Sequence, residues 1–332
     1  MAQNDRVAEA DIMSSAFTIV RISEPEAEHI WQSSPQACVF NRPEVLRSLN
    51  DTVDWWAVFK GNQIQCIWPV VLDRDGKVTN VPFAYWVGPM WSALGASHPA
   101  HRALSMSTSV YELFIPQFIE RYGEIRASLH PSLCDVRVFD WWNYHEPTKP
   151  RFDIRPRYTA VLNLCSQQKE FQVGFRELRR RELRKIERIR DGFVSDSHVL
   201  PDELGLLYQQ TLALGPDKMM KILSDFEKLL RLVDLGHGWV QAIRNKADGA
   251  LAAVILVLND AHQANMVLNL VDNQYRSNGL MARVTLRAIE DAHKRGLNVF
   301  DFNGANSPRR GDDKHSYGAW PTLYFDISYQ EP

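Results

Sequence analysis

Between Ala264 and Ile327 the spacing of apolar residues switches period twice. Met266-Val267-Leu268-Asn269-Leu270-Val271 is a short apolar run with polar flanks, which predicts a strand. A polar loop runs from Asp272 to Gly279. After it, Leu280, Val284, Leu286, Ile289 and Ala292 recur at helical spacing until Gly296 ends the helix. Val299 to Phe302 reads as a second strand, closed by the turn cluster Asn303-Gly304-Ala305-Asn306-Ser307-Pro308. Strand, loop, helix, strand is a right-handed crossover. It sets a helix N-terminus at Gly279-Leu280, beside the strand ends where ligands bind in such sheets.

The pattern restarts upstream. Tyr158 to Leu164 predicts a strand, and the following order is helix 170–190, strand 193–199, helices 202–214 and 217–234, and strands 238–244, 250–258 and 262–271. Ala250 to Leu258 is apolar almost throughout, as in a strand buried on both faces. The three prolines between Glu146 and Pro156 mark a linker. Before it, Phe17–Ile22 predicts a strand and Glu24–Gln32 a helix. Trp55–Lys60 and Gln63–Val71 predict a hairpin about Gly61-Asn62, followed by another strand and turn from Val78 to Pro89. A helix is expected over Met106–Tyr122 and a strand over Val136–Asp140, and residues 1–16 read as a poorly ordered tail. The fold class expected is α/β, a mixed sheet with flanking helices, in two domains at 1–150 and 151–318, with 319–332 free to pack back onto the first.

Composition narrows the function. The chain has 332 residues, 45% hydrophobic and 23% charged, as in an ordinary globular protein with room for two cores. A formal charge of -2 argues against a general nucleic-acid binder and leaves room for a local basic groove. Cys38, Cys66, Cys134 and Cys165 lie too far apart for a paired metal motif or a secreted disulfide framework. His98 and His101 lack a third ligand, so no metal is expected. No apolar run reaches the roughly 20 residues of a membrane span, and an acidic N-terminus is unlike a signal peptide, so a cytoplasmic location is expected.

Three stretches carry candidate chemistry. Arg276-Ser277-Asn278-Gly279 puts a cation three residues before a glycine at a helix start, where unpaired N–H groups and the helix dipole favour an anion; an ordinary turn starting a helix has the same composition. Phe175 to Arg190 holds eight basic and three acidic residues over a buried stripe of Phe175, Leu178, Leu183, Ile186 and Ile189. It reads as a salt-bridged solvated face or as a basic wall for phosphates. Eight tryptophans before residue 143 fit core filling singly and an aromatic acceptor cleft as a group.

Tyr275 to Ala282, with the helix that ends Ala292-His293-Lys294-Arg295-Gly296, resembles the acyl-CoA pyrophosphate loop of GNAT-type N-acyltransferases. Met281 stands where that family has its second small residue. Phe300-Asp301-Phe302-Asn303-Gly304 followed by Lys314-His315-Ser316-Tyr317-Gly318-Ala319 resembles the closing motif of the Fem-type branch, with Asp313 in place of an aromatic and Tyr317 in place of Phe. That branch joins two GNAT-like domains in one chain. It includes aminoacyl-tRNA-dependent enzymes of peptidoglycan bridges and acyltransferases of polysaccharide and secondary-metabolite pathways. The resemblance implies two tandem GNAT-like domains, the second more complete.

It also implies an N-acyltransferase in which acyl-CoA, the co-substrate, is attacked directly by the amine of a small-molecule, sugar or peptide acceptor across an interdomain cleft. No G-x-S-x-G elbow is present for a covalent serine route. An aminoacyl-tRNA donor, with tRNA as partner, and a catalytically degenerate scaffold for protein binding stand as the alternatives. Tyr317 is the candidate proton donor, or a core tyrosine. Lys314 is the candidate for charge stabilisation. Asp301 is a candidate base, an orienter of Lys314, or a satisfied strand-end carboxylate. Leu270, Arg276, Ser277, Asn278, Gly279, Asn303 and Asn306 are the expected donor-binding residues, and Arg309 and Arg310 are candidates for an acidic substrate.

Overall fold

The computed structural model describes residues 17–50, 52–164, 171–212 and 216–331; the tail 1–16 and Cys165 lie outside them. The chain divides into two compact units, Met1–Pro156 with Tyr324–Pro332, and Arg157–Leu323.

The first unit begins with β1 (Phe17–Ile22), α1 (Glu24–Trp31), α2 (Pro43–Leu49), β2 (Thr52–Lys60), β3 (Gln63–Leu72) and β4 (Met90–Trp91). These strands make a four-stranded sheet in sequence order, antiparallel throughout. The short α3 (Ala93–Ala96) leads into α4 (Ala100–Tyr122), β5 (Glu124–Ser128) and α5 (Arg137–Asp140). Of the expected tryptophan cleft little remains. Trp55, Trp56, Trp68, Trp86 and Trp91 are buried, and Trp68 is ringed by Tyr111, Phe114, Phe118 and Phe139 at centroid distances of 5.2–6.3 Å. Burial of aromatic area outweighs any gain from leaving these rings open to a ligand.

Two expectations in this unit are corrected. Val136–Asp140 is helical from Arg137, not a strand. The Asp135 carboxylate accepts the Arg137 N–H at 3.2 Å, and a short polar side chain bonded to backbone two residues on starts a turn rather than a ladder. Val78–Pro89 makes a single bridge, Leu72 to Val78, because Phe83 and Trp86 take positive φ (58° and 56°), which breaks strand geometry.

The second unit continues with β6 (Asp153–Asn163), α6 (Glu177–Ile189), β7 (Phe193–Asp196), α7 (Pro201–Leu212), α8 (Pro216–Asp234), β8 (Gly238–Asn245), β9 (Leu251–Asn259) and β10 (Gln263–Val271). It closes with α9 (Leu280–Lys294), β11 (Val299–Asp301), α10 (Pro308–His315) and the start of β12 (Trp320–Gln330); from Tyr324 onward β12 belongs to the first unit, where its last residues pair with β5. Within the second unit the strand order is β6-β11-β10-β9-β8-β7. Only β10 and β11 are parallel, as the right-handed crossover through α9 requires. β9 is buried along its length, which its unbroken apolar run anticipates. α6 and α9 cover one face, sharing a core with Ala264, Met266, Phe300 and Phe302; α7 packs against β10 and α8 against β8.

Candidate active site at the parting of two strands

The β10–β11 pair holds for only three residues, Gln263↔Val299 to Asn265↔Asp301, after which β10 runs on to Val271 paired with β9 and no longer with β11. A register shift between Met266 and Leu268 bends β10 just there. Asn303 bridges the opening. Its backbone takes φ 51°, its N–H donates to Asp301 Oδ1 at 2.6 Å, and its Nδ2 donates to the Met266 carbonyl at 3.2 Å.

Asp301 is fully buried at this point. Phe300 and Phe302 face α6 and α9, so period-two alternation turns Asp301 to the opposite face. Thr159 Oγ1 donates to its Oδ1, while Oδ2 has no hydrogen-bond partner. Asn265, the register partner of Asp301 and also fully buried, leaves its Nδ2 unpaired; Asn303 Oδ1 is unpaired as well. A buried orphan costs about 1–3 kcal/mol, so three at one strand end mark a place built for something beyond packing. Burial pushes the Asp301 carboxyl up to about 7, against the opposing pull of Thr159, the Asn303 N–H and Lys314. A carboxyl in that range exchanges a proton at neutral pH, as a general base must.

Lys314 approaches the same point from α10 but is held. Its Nζ donates to the carbonyls of Phe302 at 2.8 Å, Gly304 at 2.9 Å and Asn303. The ammonium thus caps the turn after β11, and its charge also acts on Asp301. Tyr317 is not brought to this group. It is stacked on Phe302 (5.5 Å, 21°) and edge-on to Phe175 in the core beneath α6 and α9, with the Arg179 guanidinium over its ring. Thr285 lies beside its hydroxyl outside good hydrogen-bond geometry, and burial drives that hydroxyl well above the usual tyrosine range. Asn306 has a local task as well, accepting the Tyr158 N–H at 2.6 Å, and Leu270 is buried along β10.

The loop before α9 is a 3₁₀ turn, Asn273–Asn278, with Arg276 and Ser277 exposed. α9 begins without a side-chain cap, so its dipole and first N–H groups are open to an anion near Arg276. Gly279 has another reason to be glycine. Its φ is +82°, and a Cβ there would meet the Glu182 carbonyl oxygen of α6 at 2.3 Å. The close approach is made by a neighbouring helix, not by room left for a phosphate. Lys185 of α6 also donates to the Ser277 carbonyl. Much of the charge on α6 is consumed locally: Glu177 pairs with Arg180, Arg181 and Arg184, while Arg179 pairs with Glu182 and Asp313 and Arg176 with Asp312. Arg309 is exposed, and the side chain of Arg310 lies outside the described residues. Among the described residues no group of three His, Cys, Asp or Glu side chains could hold a metal, and no helix is long and apolar enough to cross a membrane.

Sequence reasoning passed over Asn265 and Thr159. The signal for Asn265 was present: an asparagine set between Ala264 and Met266 is a polar group among apolar neighbours of the strand.

Residues 174–315, which include the β10–α9–β11 crossover, match the family described as acetyltransferase (GNAT) domain. Among solved structures, a tandem GNAT protein from the clavulanic acid biosynthesis pathway is 14% identical, with 95% of this chain and 98% of that one covered at a TM-score of 0.58. FemX is 11% identical over 93% and 96% of the two chains, with a TM-score of 0.63. The C-terminal domain of a putative lysylphosphatidylglycerol synthetase from Agrobacterium fabrum is 13% identical over 93% and 92%, with a TM-score of 0.50. In fold the chain is similar to these tandem GNAT proteins. No curated protein matches it in sequence.

Proposed function

We propose that this chain is an N-acyltransferase that moves an acyl group from acyl-CoA to the amine of a small-molecule, sugar or peptide acceptor. The observation that carries this reading is Asp301, a fully buried carboxyl raised to about 7 at the parting of β10 and β11. An amine is mostly protonated at pH 7 and must lose a proton before it attacks. Asp301 takes that proton and releases it to solvent, the amine nitrogen bonds to the thioester carbon, and the tetrahedral intermediate gives Asp301 its second N–H proton as the C–S bond breaks. The protonated carboxyl then returns its proton to the departing thiolate. Lys314 holds the turn that carries Asn303 and supplies positive potential beside Asp301. The uncapped start of α9 and the exposed Arg276 would take the diphosphate. Native mass spectrometry and thermal shift with CoA test the donor. Bound CoA, or stabilisation at micromolar to millimolar CoA that Arg276→Ala weakens, is expected; no response across that range would remove acyl-CoA.

One observation favours a second donor, an aminoacyl-tRNA. Gly279 is accounted for by the packing of α6, so the glycine of the loop ceases to argue for a diphosphate. FemX, among the similar structures, belongs to the branch that the aminoacyl reading draws on. An aminoacylated RNA minihelix that stabilises the protein where CoA does not would decide for this donor.

A further inference from the structure

A groove on the face away from Asp301 has no part in the reading above. Its walls are the C-terminal half of α6, strand β7 and the first two turns of α9. It holds a cavity of about 230 Å³ over an apolar floor that includes Phe193, Ile243 and Leu280. Three guanidinium groups line it, from Arg190, Arg283 and Arg287, against a single carboxylate, Glu187.

The charges do not balance. Glu187 is shared between Arg190 at 3.6 Å and Arg283 at 3.3 Å, and Arg190 has one further weak pair with the fully exposed Asp191 at 3.9 Å. Arg287 makes no ion pair with any described residue; Glu187, Glu290 and Asp291 act on it only from longer range. Asp291 is otherwise engaged by Gln241 and Lys294. Arg283 and Arg287 stand one turn apart on the same helix, a like-charge arrangement that weakens a helix. Both side chains are half-buried, so their repulsion is screened less than on an open surface. A second cavity of about 430 Å³ shares Arg283 and Glu187 and adds Arg180 and Arg184, both paired with Glu177, together with Glu290, so the excess of positive charge stays at Arg190, Arg283 and Arg287.

We propose that this groove is a phosphate-binding site in which Arg190, Arg283 and Arg287 receive the oxyanion of a phosphorylated ligand. Arginine forks match the oxygens of a phosphate in geometry and remain charged at any working pH. The concave, partly apolar surroundings strengthen the attraction compared with open solvent. Three guanidinium forks against one carboxylate suit the higher charge of a pyrophosphate better than a single phosphate.

The test is calorimetry and thermal shift on the whole chain with inorganic phosphate and pyrophosphate. The wild type is expected to bind both, pyrophosphate more tightly, with a rise in Tm at saturation. The Arg283→Gln/Arg287→Gln double variant should melt at the same temperature as the wild type or higher without anion, because the repulsion is gone, and should lose about tenfold or more in affinity. CoA set against 3′-dephospho-CoA separates the sources. A preference for CoA that the double variant loses assigns the phosphate to the acyl donor, and equal binding of the two assigns it to a separate anion. If CoA itself fails to bind, the donor reading falls while the phosphate titration still judges this site. A wild type indifferent to both anions across the millimolar range, or a double variant that responds equally, overturns the proposal.

Discussion

Replacing Gly279 by alanine separates packing from ligand binding at the start of α9. The backbone there has φ +82°, and the new Cβ would lie 2.3 Å from the Glu182 carbonyl oxygen, 2.9 Å from its carbon and 3.2 Å from its Cα. The left-handed conformation costs alanine about 1–2 kcal/mol relative to glycine. The obstacle is helix backbone, which cannot swing aside as a side-chain tip would, so α6 must shift against the shared core at a further cost of about 1–3 kcal/mol. Together these amount to about 2–5 kcal/mol, a large share of the 5–15 kcal/mol that typically holds a domain. For a unit of this size that corresponds to a fall in Tm of roughly 4–20 °C. Urea and thermal unfolding followed by circular dichroism, without ligand, measure it. An unchanged midpoint in the variant would mean that α6 does not press on this glycine, and the packing account of the loop would be wrong.

Three further outcomes are expected. Asp301 has its carboxyl raised in the folded state, so the folded chain holds a proton that the unfolded chain releases. Stability is therefore greatest below about pH 4 as far as this group is concerned, and it declines as pH rises toward about 7, by up to roughly 4 kcal/mol. Asp301→Asn should flatten that slope in melts taken between pH 4.5 and 8 and abolish acyl transfer; an equal slope in both proteins refutes the assignment. Lys314→Met removes charge-assisted bonds to three carbonyls and should cost about 2–4 kcal/mol in denaturant titration, whereas a purely chemical role would leave the midpoint unmoved. Tyr317→Phe keeps the stacked ring and should leave turnover within about threefold, because its hydroxyl faces the core and not Asp301; a loss of about a hundredfold would place it in the chemistry after all.

What could be read from the chain follows from how local each signal is. β8, β9, β10, α9 and β11 came through with ends shifted by a residue or two, since each buries a long apolar face that writes its period into the sequence. α5 and the turns around Trp86 did not, because an Asp135 side-chain bond and two positive-φ aromatics decide them, and neither alters the apolar pattern. At the candidate site Asp301 and Asn303 were legible as polar residues at a strand end. The separation of Tyr317 from Asp301 was not, because it depends on which face of the sheet each residue meets. The motif spacing around Lys314 suggested chemistry, yet what that spacing achieves in the fold is a lysine long enough to reach three carbonyls one turn before α10.

The pairing of β12 with β5 has a consequence for biosynthesis. Ser128 meets Asp326, so the strand that completes the first unit leaves the ribosome roughly 200 residues after the strand it joins. At about 5–20 residues per second that is a wait of some 10–40 seconds, during which β5 has an open edge and Ile125 and Ala127 lack the cover of Ile327 and Tyr329. The nascent N-terminal half is thus exposed to chaperones and to aggregation through that edge, and the two halves cannot be expressed as separate fragments by cutting the chain once.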